Sequence, residues 1–390
     1  MESELSEFRK STLFVLYIVG FIFALTSAIP AYINSSFLES LTNEQAVGLF
    51  YIAGSILSLI SLIIIPKILK RYGNYKVTLL ITTISFLNFL GLAFFHNIFF
   101  ISFCFIISGS MATIIYFDLD VFIEHNSSDI KTGRIRSLYL SSINFAWLIS
   151  PIIAGVIVGK SSYRMIYFVV ALIMLPIVLI VSSNLKNFKD PDYKSLNIFE
   201  NIRGNLANKN IKNIFVSNFL LQLFYSWMVV YTPIYLNQHM GIDWGTIGII
   251  FSIMLLPYIL VEIPFGYLAD IKIGEKEVLT LGFIIMGIFT AIIPQIHTTS
   301  FVIWSIVLFM TRIGSAMVEV MNDTYFFKQI NDRDLNSINF YRSAVPLSYI
   351  FAPIIATVLI FFLPLGNIFY IFGFLMLFGL RYSLAIVDTK

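Results

Sequence analysis

The sequence predicts an all-α membrane protein with twelve transmembrane helices in two six-helix pseudo-symmetric bundles. Three observations carry that prediction: a lipid-like composition, twelve apolar runs of helical length, and an internal repeat that divides the chain in two. Of 390 residues, 58% are hydrophobic and 12% charged, and mean hydropathy is +0.86. Soluble domains carry roughly 45–50% apolar and about 25% charged residues. Such a composition excludes an ordinary water-soluble enzyme and a disordered chain alike. A single cysteine, Cys104, excludes an intrachain disulfide framework and a cysteine-cluster metal centre. The net charge of +3 gives no reason to expect a nucleic-acid partner.

A hydrocarbon core about 30 Å thick takes about 20 apolar residues per helix. Runs of that length lie at 12–35, 44–66, 77–95, 98–122, 138–158, 163–183, 212–236, 246–268, 277–296, 299–325, 341–362 and 366–386, here spans 1 to 12. None shows the period-two alternation of a barrel strand, which leaves helices as the spanning element. Span 1 is too long for a secretory h-region. Its flank carries Glu2, Glu4 and Glu7 and no small-residue cleavage site follows, so it reads as a retained helix.

Basic residues set the orientation. Twenty of the 25 Lys and Arg fall at the N-terminus, after spans 2, 4, 8 and 10, and between spans 6 and 7, whereas the opposite loops hold Lys160 and Arg164. Both termini are therefore expected in the cytoplasm, with the chain in a plasma (inner) membrane.

Four matches in chain order relate the two halves. Pro30-Ala-Tyr32-Ile-Asn34 recurs as Pro233-Ile-Tyr235-Leu-Asn237, Gly48 as Gly248, Gly109-Ser110 as Gly314-Ser315, and Ser150-Pro151-Ile-Ile-Ala154 as Ala352-Pro353-Ile-Ile-Ala356. The offsets are 203, 200, 205 and 202 residues. The organisation that follows is an N-terminal bundle, 1–183, a cytoplasmic linker, 184–211, and a C-terminal bundle, 212–390. Within the linker, 195–211 reads equally as a short interfacial helix or as a flexible connection. The 205-residue offset in span 10 places Asp118 opposite Asp323.

Twelve spans in a six-plus-six parallel repeat, cytoplasmic termini and a long central inner loop resemble the major facilitator superfamily. That family keeps a loop patterned Gly-x-Leu-Ala-Asp-Arg-x-Gly-Arg-Lys after spans 2 and 8. Gly266-Tyr-Leu-Ala-Asp270-Ile-Lys272-Ile-Gly274-Glu-Lys276 matches it with one additional residue, and Pro66-Lys-Ile-Leu-Lys70-Arg71-Tyr-Gly73-Asn-Tyr-Lys76 keeps Arg71 and Gly73 but has Lys70 at the acid position. The resemblance implies secondary transport by alternating access, with spans 1, 4, 7 and 10 around the solute path. Ser150-Pro151-Ile-Ile-Ala154-Gly155 is similar to the span-5 element of the family's antiporters, and reads equally as a packing and kink element.

A tight Gly-containing turn that gathers opposite charges can open and close an inner gate. Its expected members are Lys70, Arg71 and Gly73, with Asp120 and Glu124 as acidic partners of Lys70, and Glu262, Gly266 and Asp270 in the second half. The repeated Pro30, Tyr32, Asn34 and Pro233, Tyr235, Asn237 are the candidate outer gate, with an aromatic belt and capping Asn as the alternative.

Ionisable residues within a span are functional candidates by default. Arg312, Glu319 and Asp323 in span 10 recur at helical spacing on one face. A carboxyl in a low-dielectric cavity can take up and release a proton, which makes Glu319, Asp323 and Asp118 the proton-coupling candidates. Arg312 either binds an anionic group of the solute or acts as counter-ion to Glu319. Asp118 and Asp120 lie about 200° apart, so one lines the path and the other meets a neighbouring helix or the inner loop. Uncharged contacts to the solute are expected from Asn218, Gln222, Tyr225 and Trp227 in span 7 and from Asn144 and Trp147 in span 5.

The sequence has no phosphate-binding loop, nucleophile elbow or zinc-protease motif, so it points to no enzyme, cofactor or metal. The expected partner is a small solute, with the chain as a monomer in the bilayer. The leading reading is a proton-coupled secondary transporter, drug or amphiphile efflux among its candidate roles, with sugars, amino acids and peptides open. A lipid or lysolipid flippase of the same fold and a non-transporting receptor or scaffold are the alternatives.

Overall fold

The structure, a computed structural model, describes residues 2–126, 132–186, 188, 190, 207–261, 264–265, 274–329 and 335–387. All regular structure among them is helical. Eleven helices are long and apolar enough to cross a bilayer, at Leu13–Ala31, Glu44–Tyr72, Asn74–Phe94, Ile98–Ile123, Tyr139–Lys160, Tyr163–Asn184, Lys209–His239, Glu275–Gln295, Phe301–Gln329, Phe340–Ile360 and Leu365–Ser383. These are spans 1–7 and 9–12. Span 8 departs from the expected 246–268: its described part is a shorter apolar helix, Trp244–Leu260, interrupted after Leu255. Pro257 explains the interruption, because proline has no N–H to bond the preceding turn. Most of the expected interfacial helix at 195–211 lies outside the described residues. Span 7 begins at Lys209, where the Asn208 side chain accepts from the Asn210 and Ile211 amides and caps the helix.

Large apolar side chains stand on the outside of the helices, among them Phe99, Phe362, Phe374, Phe94 and Leu179. Residues of that size and polarity facing outward on helices of spanning length fit a lipid surround. The chain is an integral multi-pass membrane protein.

Contacts divide the chain into two compact units, residues 1–37 with 53–195, and residues 38–52 with 196–390. In the first, span 3 packs against spans 4 and 6, and span 1 against spans 5 and 6. The interior there is Leu16, Val19 and Phe23 of span 1 against Ile115, Leu119 and Phe122 of span 4 and Met174, Ile177 and Val181 of span 6. In the second unit, span 9 packs against spans 10 and 12, and span 7 against spans 10 and 11. The helix pairs 3·4, 3·6 and 1·5 thus recur as 9·10, 9·12 and 7·11, the repeat expressed as packing.

The repeat is also local. Gly73 precedes span 3 with φ 83° and ψ 150°, and Gly274 precedes span 9 with φ 108° and ψ 157°. A positive φ is costly for any residue with a Cβ, so both turns require glycine. At Gly73 an added Cβ would also meet Asp190 Oδ2 at 2.7 Å. Span 9 is held by close backbone approaches. Gly282 lies against the Gly314 carbonyl and Gly314 against the Gly282 carbonyl, while Gly287 and Gly373 do the same between spans 9 and 12. Small residues at such crossings let helices approach within backbone contact.

Candidate functional site

The second unit assembles a polar cluster from four spans. Arg312 of span 10 is 2% exposed. Its guanidinium carbon lies 5.1 Å from the Phe224 ring centroid and 5.3 Å from that of Tyr225, and its Nη1 donates to the Tyr258 hydroxyl of span 8 at 3.3 Å. That hydroxyl is 3.0 Å from Ser315 Oγ. Two turns further along span 10, Glu319 accepts a 2.5 Å hydrogen bond from the Tyr225 hydroxyl. Arg312 and Glu319 are therefore joined through one tyrosine, which offers its ring face to the cation and its hydroxyl to the carboxylate.

Asp323, one turn beyond Glu319 and exposed, accepts from the Tyr341 hydroxyl of span 11 at 2.8 Å. Tyr341 is fixed by stacking on Phe326 at 4.2 Å, and its carbonyl accepts from Asn218 Nδ2 at 3.4 Å. Gln222 then donates to Asn218 Oδ1 at 3.4 Å. Beside them Ser217 donates to Asn322 Oδ1 at 2.6 Å. Each acidic residue of span 10 thus has its own phenol donor, and phenol–carboxylate bonds are stronger than neutral ones.

Expected residues outside this cluster have other surroundings. Trp227 is fully buried and stacks on Phe372 at 4.2 Å and 10°, so it packs span 7 against span 12 and presents no face to a solute. In the first unit Asn144 is exposed and Trp147 half-buried. Asp118 is fully buried: Oδ2 accepts from Thr78 at 2.9 Å, and its backbone carbonyl accepts from Asn74 Nδ2 at 3.2 Å. It binds span 4 to span 3, whereas Asp120 is half-buried.

This placement gives Asp118 and Asp323 different surroundings: Asp118 is buried against span 3 and Asp323 is exposed beside span 11. Met111 of span 4 meets Ser85 of span 3, and Gly314 of span 10 meets Met286 of span 9. The span-3 to span-9 shift is 201 residues for Gly73 and Gly274, and matching Met111 to Gly314 by these contacts gives a span-4 to span-10 shift of 203 beside the 205 of the Gly-Ser match. A shift of 203 brings Asp120, and a shift of 205 brings Asp118, opposite Asp323. In the Gly-Ser match Gly109 approaches Ser58 of span 2, whereas Gly314 approaches span 9.

At the inner loop Lys70 and Arg71 are exposed, and among the described residues neither forms an ion pair; Arg71 lies over the Tyr72 ring at 5.3 Å. Asp190 caps span 3 by accepting from the Asn74 amide at 2.6 Å. The Glu124 side chain, Glu262, Gly266 and Asp270 lie outside the described residues.

The two Pro-x-Tyr-x-Asn copies each interrupt a helix. After Pro30 the chain turns, and a new helix starts at Asn34, whose Oδ1 accepts from Tyr167 of span 6 at 2.8 Å. After Pro233 the helix widens into a π-turn, Tyr235–His239, and Asn237 Nδ2 donates to the Ile242 carbonyl at 3.0 Å. Tyr32 and Tyr235 are buried, the latter against Trp304 and Phe369. Both motifs are thus tied inside their own unit.

Sequence reasoning missed Tyr258, Tyr341, Ser217 and Asn322. Tyr258 follows a proline within a span, and a hydroxyl at membrane depth next to a helix break is a usable signal. Tyr341 stands beside Arg342 and reads as loop edge.

With this arrangement in hand, comparison with known proteins decides the family. The Major Facilitator Superfamily profile matches residues 14–200 and 214–388. The chain belongs to the Major Facilitator Superfamily. No curated protein matches its sequence. Among solved structures it is similar to the POT family transporter PepTSo, with TM-score 0.79, 11% identity, and 96% of this chain and 97% of that one covered. It is also similar to the nucleoside transporter NupG (D323A mutant), with TM-score 0.77, 12% identity, and 96% and 99% covered. An auto-inhibited POT family peptide transporter aligns with TM-score 0.76, 11% identity, and 97% and 98% covered. At these identities the likeness establishes the superfamily's transporter fold.

Proposed function

We propose that this superfamily member is a monomeric, proton-coupled secondary transporter that moves a small solute by alternating access, with Glu319 and Asp323 as the groups that exchange the proton. The observation that carries this reading is the pair of span-10 carboxyls, each held by a tyrosine of another span. An acidic side chain at that depth is expensive unless it is paired or faces a wet cavity, which makes it a functional candidate by default. The phenols give each carboxyl a defined donor when ionised, and loss of that bond accompanies any protonation that reorients the side chain. The placement of twenty basic residues supports cytoplasmic termini in the plasma membrane. Asp120, opposite Asp323 on the shift of 203, is the first-unit residue to test beside them.

The test is solute accumulation in proteoliposomes under an imposed proton gradient, screened over peptides, nucleosides, sugars and amphiphiles. Glu319→Gln is expected to abolish uphill accumulation while retaining counterflow at saturating solute. Accumulation by the variant equal to that of the parent would remove Glu319 from the coupling step.

A further inference from the structure

We propose that the solute recognised beside Glu319 is an organic cation: a positive centre on an aromatic or aliphatic frame. The inference rests on the transport reading and adds the charge class of its solute.

It follows from which charges of the cluster can be reached. Arg312 would be the natural receptor for an anionic group, but the fold has already committed it. It is 2% exposed, with the rings of Phe224 and Tyr225 within 5.3 Å of its guanidinium carbon and the Tyr258 hydroxyl on its Nη1. A guanidinium over two ring faces and bonded to a phenol serves the protein's own aromatic groups. An anionic solute would have to displace those contacts before meeting the Arg312 charge.

Glu319 has the opposite disposition. It is half-buried, Oε2 takes the Tyr225 hydroxyl, and Oε1 accepts no hydrogen bond among the described residues. Asp323 is exposed one turn away and likewise has one oxygen engaged, by Tyr341. Arg342, exposed near Asp323, offsets that carboxylate. Glu319 faces positive charge only from Arg312, across the Tyr225 ring, among the described residues.

The neighbouring surface suits the same class. Phe215, Phe219, Gln222 and Tyr225 recur at helical spacing on one side of span 7, each half-buried. Ring faces attract cations, and an ammonium or phosphonium centre with bulky substituents sheds little hydration on entering such a place. A carboxylate oxygen with aromatic neighbours, where the nearby exposed base Arg342 is already offset by Asp323, favours a cation and repels an anion of equal shape.

The experiment uses the purified full chain in detergent near pH 8, read by thermal shift. The probes are tetraphenylphosphonium and the smaller benzyltrimethylammonium, with tetraphenylborate as the shape-matched anion. A saturable stabilisation by at least one cation, none by the anion, and an apparent affinity about tenfold weaker in Glu319→Gln is the expected result. Gln keeps the length and the acceptor for Tyr225, and the probe-free melting temperature of the variant reports its folding. Stabilisation by the borate but by neither cation, no response to either cation, or equal cation affinity in parent and Glu319→Gln would each overturn the proposal. Counterflow separates this from the transport reading. Exchange confined to a neutral or anionic solute keeps the transporter and removes the cation site, whereas saturable cation binding without exchange keeps the site and removes transport.

Discussion

Tyr225 is the residue on which the span-10 charges depend, because its ring and its hydroxyl serve opposite charges at once. Tyr225→Phe retains the ring under Arg312 and removes the donor to Glu319. The expected loss is about 1.5–3 kcal/mol of the stability of the ionised state, the usual worth of a hydrogen bond to a charged group. It should appear as a lower melting temperature at high pH than at low pH relative to the parent. Asp118 makes a contrasting case, since a fully buried carboxyl with a hydroxyl donor gains little from its charge. Asp118→Asn should melt within about 0.5 kcal/mol of the parent or higher. A large destabilisation would show that the negative charge itself ties span 4 to span 3. Outside the spans, Glu39 is held above the ordinary carboxyl value of 4.5 by burial and then by Glu44, with His239 acting against both. A carboxyl that holds its proton more firmly in the folded chain contributes fully below that ordinary value. It loses the contribution as pH rises through the shifted one. Glu39→Gln should therefore flatten the decline in melting temperature as pH rises above the ordinary carboxyl value of 4.5.

At the scale of the helix, the left-handed turns before spans 3 and 9 invite a paired comparison. Gly73→Ala meets both the positive φ and Asp190, and Gly274→Ala meets a positive φ as well. Each substitution should cost about 1–2 kcal/mol from conformation, and Gly73→Ala more from the clash with Asp190. Chemical denaturation of the two variants measures the difference. Helix positions were legible in the sequence because twenty apolar residues in a row have one stable form in lipid. What was not legible was rotation about the helix axis. Gly109-Ser110 and Gly314-Ser315 look equivalent as letters, yet the glycines touch different neighbours, and a two-residue error turns a side chain by about 200°. The same blindness put Trp227 toward a solute, though it stacks on Phe372. It also left Tyr258 and Tyr341 unnoticed, since their roles arise only when spans 8 and 11 are placed beside span 10. The Pro-x-Tyr-x-Asn copies were legible as interruptions, but a turn in one and a π-turn in the other depend on what each Asn finds to bond.

For the whole molecule, the division into halves was readable because duplicated motifs keep nearly constant spacing, and the superfamily match runs through both. Chemistry was readable only in part. Charged letters inside apolar runs mark where function resides, but whether a charge is offered or consumed depends on burial. That is how Arg312 passes from expected receptor to internal counterpart of aromatic rings. Residues 38–52 were read as part of the N-terminal bundle, yet their contacts lie with 196–390. Gly48 packs against Thr357, Tyr231 and Pro353, Tyr51 stacks with Tyr349, and His239 bonds Glu44. A gene cut within the central linker would consequently part residues 38–52 from the residues they pack against. Complementation from two plasmids should succeed only when the amino-terminal product is supplied in the same cell.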